Sequence, residues 1–333
     1  MNELLNNYLF WLIVLSLFVF TLERLWPARQ QEFTRRWLWS DSVYLFFNGH
    51  LLGVWLYGIA TYHILPPLDA YLAEQGLRET LYFSAMQRWG WSLLTQSISA
   101  LIIIDFIQWL VHKTLHRVDS LWAFHKIHHS VKEGEMDWIV SFRFSWLEPV
   151  IYKAVMYLPM MWFGFASEAI FFHAIFGTLI GHLNHANLTW DYGPLRYVLN
   201  SPRMHLYHHA YDAPKHGQNF GIIFSCWDWM FGTHYLPDKP CPKIGFPGVE
   251  RLPNDFFGQL IWPLPHWVQS LGEGTRLVTS LLGLLVLGGL YGASLPTLPQ
   301  TPISNDPIAN SQLMIRSVAS KETSTFGGFE ETT

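Results

Sequence analysis

The stretch SALIIIDFIQWLVHKTLHR, residues 99–117, carries an apolar run straight into a pair of histidines. It is the end of a longer segment, Trp89 to Val111, that exceeds the roughly 20 residues needed to span a bilayer core. His112 and His116 follow it four residues apart, a spacing that puts both rings on one helix face. Asp105 lies seven residues before His112 on that face. A carboxylate at such depth is costly and implies a partner. We read Asp105 as an acceptor that orients a ligand histidine, against the plainer reading of a hydrogen bond to a neighbouring helix.

The spacing recurs further along. His125, His128 and His129 read HxxHH, His182 and His185 are three apart, and His205, His208 and His209 repeat HxxHH. Of 16 histidines, twelve fall between His112 and His216. Each cluster turns two or three imidazoles toward one point. Ser201-Pro202 ahead of the last cluster reads as a helix start, with Ser as N-cap and Pro in the first turn. His50, His63, His173, His234 and His266 stand alone and read as ordinary hydrogen-bonded or interfacial residues; His216 is a weaker candidate than the clustered ten.

Outward from this core the chain reads as all-α and polytopic. Half of the residues are hydrophobic and only 14% charged, against about 25% in soluble domains. Tyr8 to Leu22 is a first apolar segment, with Arg24, Arg29, Arg35 and Arg36 after it, which marks that end as cytoplasmic. Its acidic flank, Glu3, and the lack of a cleavage site separate it from a signal peptide. Ser42 to Leu68 has no charged residue and returns outward, ending at Pro66 and Pro67. The Trp89 segment runs inward again to Lys113, Arg117 and Lys126. Pro149 to Phe165 and Ala169 to Ile180 form a helical hairpin entered and left from the cytoplasm, and Leu277 to Leu295 reads as a last membrane helix. The expected organisation is membrane helices in 1–95, a catalytic domain in 96–240, a linker and membrane helix in 241–295, and a disordered tail in 296–333. This topology gathers all four histidine clusters into one helical cap on the cytoplasmic side.

The net charge of −4 gives no case for nucleic-acid binding. Cys226 and Cys241 have neither zinc nor disulfide spacing. Ten candidate ligands exceed the four of a structural zinc site; shared between two ions they leave room for an open position on each. Imidazole suits iron, and equally zinc, copper and nickel. No Glu-x-x-His pair of the soluble di-iron bundles occurs.

The order HxxxH, HxxHH, HxxH-Ala-Asn, HxxHH resembles the fatty acid hydroxylase and sterol desaturase superfamily of integral-membrane di-iron enzymes. Asp105-Phe106 through His116 is similar to its first motif, with Lys113 where Arg is more frequent. His185-Ala186-Asn187-Leu188 resembles the third motif, and Ser201 to His209 the fourth. Asn219-Phe220-Gly221, Trp227-Asp228 and Phe231-Gly232-Thr233 resemble the closing stretch. The likeness covers residues 100 to 236. It implies that His112, His116, His125, His128, His129, His185, His205, His208 and His209 bind metal; His182 is either a further ligand or a residue behind one.

The resemblance further implies two iron ions, with zinc a substitute in purified or crystallised protein, and O2-dependent hydroxylation or desaturation of a sterol, fatty acyl or related lipid. Carotenoid or lipid-headgroup hydroxylation is the alternative within enzymes. A metal transporter or a haem protein is the alternative outside them. Trp109, Trp122 and Trp138 either line the approach of the lipid or anchor the interface. The chain has no GxGxxG fingerprint and too few cysteines for a four-thiolate cluster, so electrons are expected from a separate ferredoxin or b-type cytochrome with its reductase.

Overall fold

The structure is a computed structural model that describes residues 3–262 and 264, apart from 36, 60–61, 64, 78–88, 132–135, 212–216, 239–240 and 242. The Leu277–Leu295 segment, the 296–333 tail and His216 lie outside the described residues. Among the described residues the secondary structure is helical, with β-pairing confined to two isolated bridges, Leu199 with Phe224 and Ala210 with Ile244.

The helices are α1 (Tyr8–Leu25), α2 (Leu38–Phe46), a π-turn (Phe47–Leu51), α3 (Leu52–Ile59), α4 (Leu65–Glu74), α5 (Leu93–Arg117), α6 (Asp119–His125), α7 (Leu147–Trp162), α8 (Ser167–His185), α9 (Pro202–His208), α10 (Cys226–Met230) and α11 (Phe256–Ile261). Pro66 and Pro67, read as the end of the second apolar segment, instead open α4; the first turn of a helix tolerates proline because its N–H groups have no intrahelical acceptor.

Two described helices, α1 and α5, are long and apolar enough to cross a membrane. Side-chain caps start both: Asn7 Oδ1 accepts from Leu9 N at 2.9 Å, and Ser92 Oγ from Thr95 N at 3.2 Å. Each turns an apolar row outward, Ile13, Leu17 and Phe18 on α1 and Ile98, Ile102 and Leu110 on α5. The inner face of α5 is different in kind. It buries Ala100, Ile104, Asp105, Trp109, His112 and His116.

Helix α8 packs against both α5 and α1, and α7 packs against α5. Ala100 and Ala169 meet in a core with Ile104, Met156, Met160 and Phe165, and such small residues let apolar helices approach closely. Gln96 Oε1 accepts the Ala166 N–H at 2.8 Å just before α8 begins. The result is a helical frame that delivers the ends of α5, α6, α8 and α9 to one buried region.

Candidate metal centre

Nine of the ten clustered histidines gather in two buried groups, and their partition follows helical geometry. His112, His116, His125, His129 and His208 form the first group; His128, His185, His205 and His209 form the second. Within each group one nitrogen per ring lies within 4.8 Å of all the others. Residues four apart on a helix are rotated by about 40°, whereas residues three apart are rotated by about 60° the other way. Accordingly the pairs 112/116, 125/129 and 205/209 stay together, while His128 and His208 cross to the opposite group. The two HxxHH turns thus exchange one ring each.

The proton on most rings can be placed by what faces it. A carbonyl oxygen only accepts, so the nitrogen opposite it must carry hydrogen. His112 Nδ1 donates to Phe220 O at 2.8 Å, and His208 Nδ1 to Gln218 O at 2.7 Å. In the second group His128 Nδ1 donates to Arg143 O at 3.1 Å and His185 Nδ1 to Gly181 O at 2.8 Å. His125 Nδ1 donates to the carboxylate of Glu148 at 2.7 Å. Each neutral ring is left with a bare lone pair on Nε2.

Those lone pairs face one another. His112 and His125 bring their Nε2 atoms to 3.2 Å, and His128 and His185 to 3.1 Å. Two bare lone pairs at that distance repel, and a cation between them converts both into ligands. Among the described residues the buried Nε2 of His208 and both ring nitrogens of His129 have no hydrogen-bond partner, an arrangement that costs about 1–3 kcal/mol per group unless something binds there. Burial first, and neighbouring imidazoles second, hold His125, His128, His129, His205, His208 and His209 well below the ordinary histidine value. They are neutral at pH 7, the form a metal requires. An all-imidazole donor set suits a first-row metal ion, and each group fits one.

Residues 97–233 match the sequence model of the fatty acid hydroxylase family. Residues 97–233 are thus similar to a fatty acid hydroxylase domain. It is 29% identical over 175 residues to an ornithine lipid hydroxylase of Rhizobium tropici, covering 52% of this chain and 51% of that protein. An alkylglycerol monooxygenase of Xenopus tropicalis is 29% identical over 136 residues, 41% of this chain and 29% of that protein. A putative Delta(7)-sterol-C5(6)-desaturase of Arabidopsis thaliana is 26% identical over 184 residues, 53% of this chain and 61% of that protein. The chain thus spans about half the length of the ornithine lipid hydroxylase and under a third of the monooxygenase. No solved structure matches it.

In the matched region, a loop behind the first group holds the histidine partners in place. Residues Gln218 and Phe220 supply the carbonyls on His208 and His112. Asp228 fixes this loop by accepting from Phe220 N at 2.9 Å, Gly221 N at 2.8 Å and the Trp109 indole at 3.0 Å. Asp105 fixes its far end, accepting from Ile223 N at 2.9 Å, Phe224 N at 3.0 Å and the Trp227 indole at 2.9 Å. Asn219 adopts a positive φ of 56°, and its side chain donates to Met204 O and Tyr235 O. A side chain at Gly221 would collide with Phe224 O. The Asn-Phe-Gly motif is therefore a backbone shape that presents one carbonyl to His112.

Behind the second group stands a buried ionic network that reaches outside residues 97–233. Arg143, whose carbonyl holds His128, pairs through its guanidinium with Asp41, and donates to Ser130 Oγ at 3.0 Å and Gln259 Oε1 at 3.1 Å. Asp41 also binds Arg35 at 2.8 Å, and Arg35 grips Asp137 with two bonds of 2.6 and 2.8 Å.

Two expectations look different here. His182 lies outside both groups; Ser16 Oγ is 3.2 Å from its Nε2 and Ser141 Oγ 2.6 Å from its Nδ1. Three residues before His185, it is rotated onto the face that meets α1. Asp105 grips the loop after Phe220 rather than an imidazole, so it acts on the histidine groups through the backbone. The carboxylate that does touch a ring of these groups is Glu148, which sequence reading missed. No spacing ties it to a histidine, because it sits at the start of α7, 23 residues beyond His125.

Proposed function

We propose that the chain is a multi-pass membrane oxygenase that binds one iron ion in each histidine group and hydroxylates or desaturates a lipid with O2 and external electrons. The observation that carries the reading is the pair of adjacent, fully buried imidazole groups whose Nε2 lone pairs converge without protons between them. Relatives named for ornithine lipid, alkylglycerol and sterol chemistry support an amphiphilic lipid as the substrate. Iron held there supplies the activation of dioxygen and the removal of hydrogen from an unactivated C–H bond.

The ligands in this reading are His112, His116, His125, His129 and His208 for one ion, and His128, His185, His205 and His209 for the other. Phe220, Gln218, Arg143 and Gly181 carbonyls, with Glu148, fix each ring's tautomer and angle. Such outer partners are worth about 10–100-fold in metal affinity or activity. The unequal ligand count leaves the second site with the larger share of free coordination positions. The buried setting excludes water that would otherwise quench the chemistry.

The N-terminus faces outward, the segments around α1, α2–α3 and α5 cross the membrane, and α7 and α8 dip in and return. The histidine groups sit on the cytoplasmic side, where a ferredoxin or a b-type cytochrome with its reductase delivers electrons. Residues 1–95 serve as membrane anchor and 96–240 as catalytic domain.

Metal analysis of the purified full chain is the test. About two irons per chain, the count of a di-iron oxygenase, and loss of lipid oxidation with loss of iron in His128→Ala are expected. Haem, variable zinc alone, or an active His128→Ala chain refutes the reading.

A further inference from the structure

On α8, His173, Gly177, Gly181 and His185 occupy successive positions four apart, one inclined row along the helix. The row ends in two very different ways. At one end His185 turns its Nε2 into the second histidine group, 3.1 Å from His128 and 3.0 Å from His205. At the other end His173 is 3% exposed, and among the described residues neither of its ring nitrogens has a hydrogen-bond partner. It is no metal ligand, since twelve residues of helix set it about 18 Å from His185 at 1.5 Å per residue.

Between the two histidines the row is open among the described residues. A side chain at Gly181 would meet nothing within 4 Å, and one at Gly177 would meet only His173 Cε1, at 3.8 Å. The imidazole of His173 therefore borders the space that Gly177 leaves. An unpartnered buried imidazole costs about 1–3 kcal/mol, and a bilayer offers no water to relieve it.

We propose that this row walls a lane for one chain of the lipid substrate, with His173 binding a hydroxyl or amide group of that lipid about 18 Å from where the lane meets the second histidine group. A neutral imidazole presents one donor and one acceptor, and hydroxyl and amide groups present the same pair. This rests on the oxygenase reading for the identity of the lipid as substrate. Gly177 and Gly181 also have the spacing by which membrane helices pair. A second helix would cover the glycines and still leave a ring donor and acceptor unmet at His173, so the lipid is the occupant.

The test uses the full-length, iron-loaded chain in phosphatidylcholine nanodiscs. The probes are a long-chain primary alcohol with a mid-chain diazirine and the matching alkane, with photolabelled peptides mapped by mass spectrometry. The alcohol should label α8 between residues 171 and 185 about five-fold more than the alkane, the worth of one net hydrogen bond. Gly177→Leu should abolish that labelling with iron content unchanged. His173→Phe should erase the preference for the alcohol, and His173→Gln should restore it. Equal labelling by both probes, spread over the outer faces of α1 and α5, overturns the proposal. So does a dimer that Gly177→Leu dissociates. Labelling in the lane of a chain that binds no iron would refute the oxygenase reading and leave the lane standing; iron without lane labelling would do the reverse.

Discussion

Glu148→Ala removes the acceptor of the His125 Nδ1 proton and leaves the five rings of the first group otherwise intact. Glu148 is 1% exposed and 2.7 Å from the ring, and its other oxygen accepts from Ser145 N at 3.1 Å. Loss of such an outer partner typically weakens metal binding about 10–100-fold, or about 1.4–2.8 kcal/mol at 1.4 kcal/mol per tenfold. The second group draws on Arg143 and Gly181 carbonyls instead, so only one of two ions should loosen. The lost Ser145 bond adds about 1 kcal/mol of destabilisation, separable by unfolding the metal-free chain. Glu148→Gln keeps an acceptor oxygen at the same place and should cost less than about tenfold, inside the lower bound for a lost partner. A chelator-competition titration that resolves two iron affinities is the assay. Equal weakening of both sites, or wild-type affinity for both in Glu148→Ala, refutes the assignment of Glu148 to the first group.

Asp41→Ala leaves the buried Arg143 guanidinium without its carboxylate partner, while Arg35 keeps Asp137, and should cost about 3–5 kcal/mol, read by denaturant unfolding in detergent. Gly221→Ala drives a methyl group into Phe224 O and should shift the Phe220 carbonyl off His112; the iron spectrum of the first site should change while that of the second does not. His182→Ala should retain both irons, because its ring is engaged with Ser16 and Ser141; metal analysis decides. Six histidines outside the membrane helices have pKa values lowered well below 6.5. Below about pH 6.5 the unfolded chain takes up protons that the folded chain refuses, so stability must fall with pH there, by up to about 1.4 kcal/mol per pH unit for each ring. Thermal unfolding of the metal-free chain between about pH 5 and 7.5 should show this loss, and a flat profile would contradict it.

Much of this centre was legible because helical spacing is local information. Four-residue histidine pairs share a face in any helix, and all three such pairs stay together in the structure. The assignment of rings to groups was less accessible. His128 and His208 cross over because adjacent or three-apart positions point to different neighbours, and which neighbour is present is a tertiary fact. His182 illustrates the same limit: its spacing to His185 looks like a ligand pair, yet α1 supplies Ser16 on its side. Glu148, Asp228 and the Arg35–Asp41–Arg143 network were hidden for a related reason. Several of their partners lie far off along the chain, up to 119 residues away, and nothing in composition marks a buried ion pair. The break of the second apolar segment was also invisible, since uniform hydropathy says nothing about where a helix restarts.

The exchange of rings between the two HxxHH turns governs when the centre can form during synthesis. The first group lacks its fifth ring until His208 is made, and the second has only His128 and His185 until His205 and His209 follow. The second group therefore cannot close until this last HxxHH turn is made, whereas the first already has four rings, His112, His116, His125 and His129, before it. Four imidazoles are as many ligands as a closed tetrahedral site uses. Any ion taken up early in synthesis would therefore enter the first group, and the second would fill only once the chain of α5 and α8 has been made.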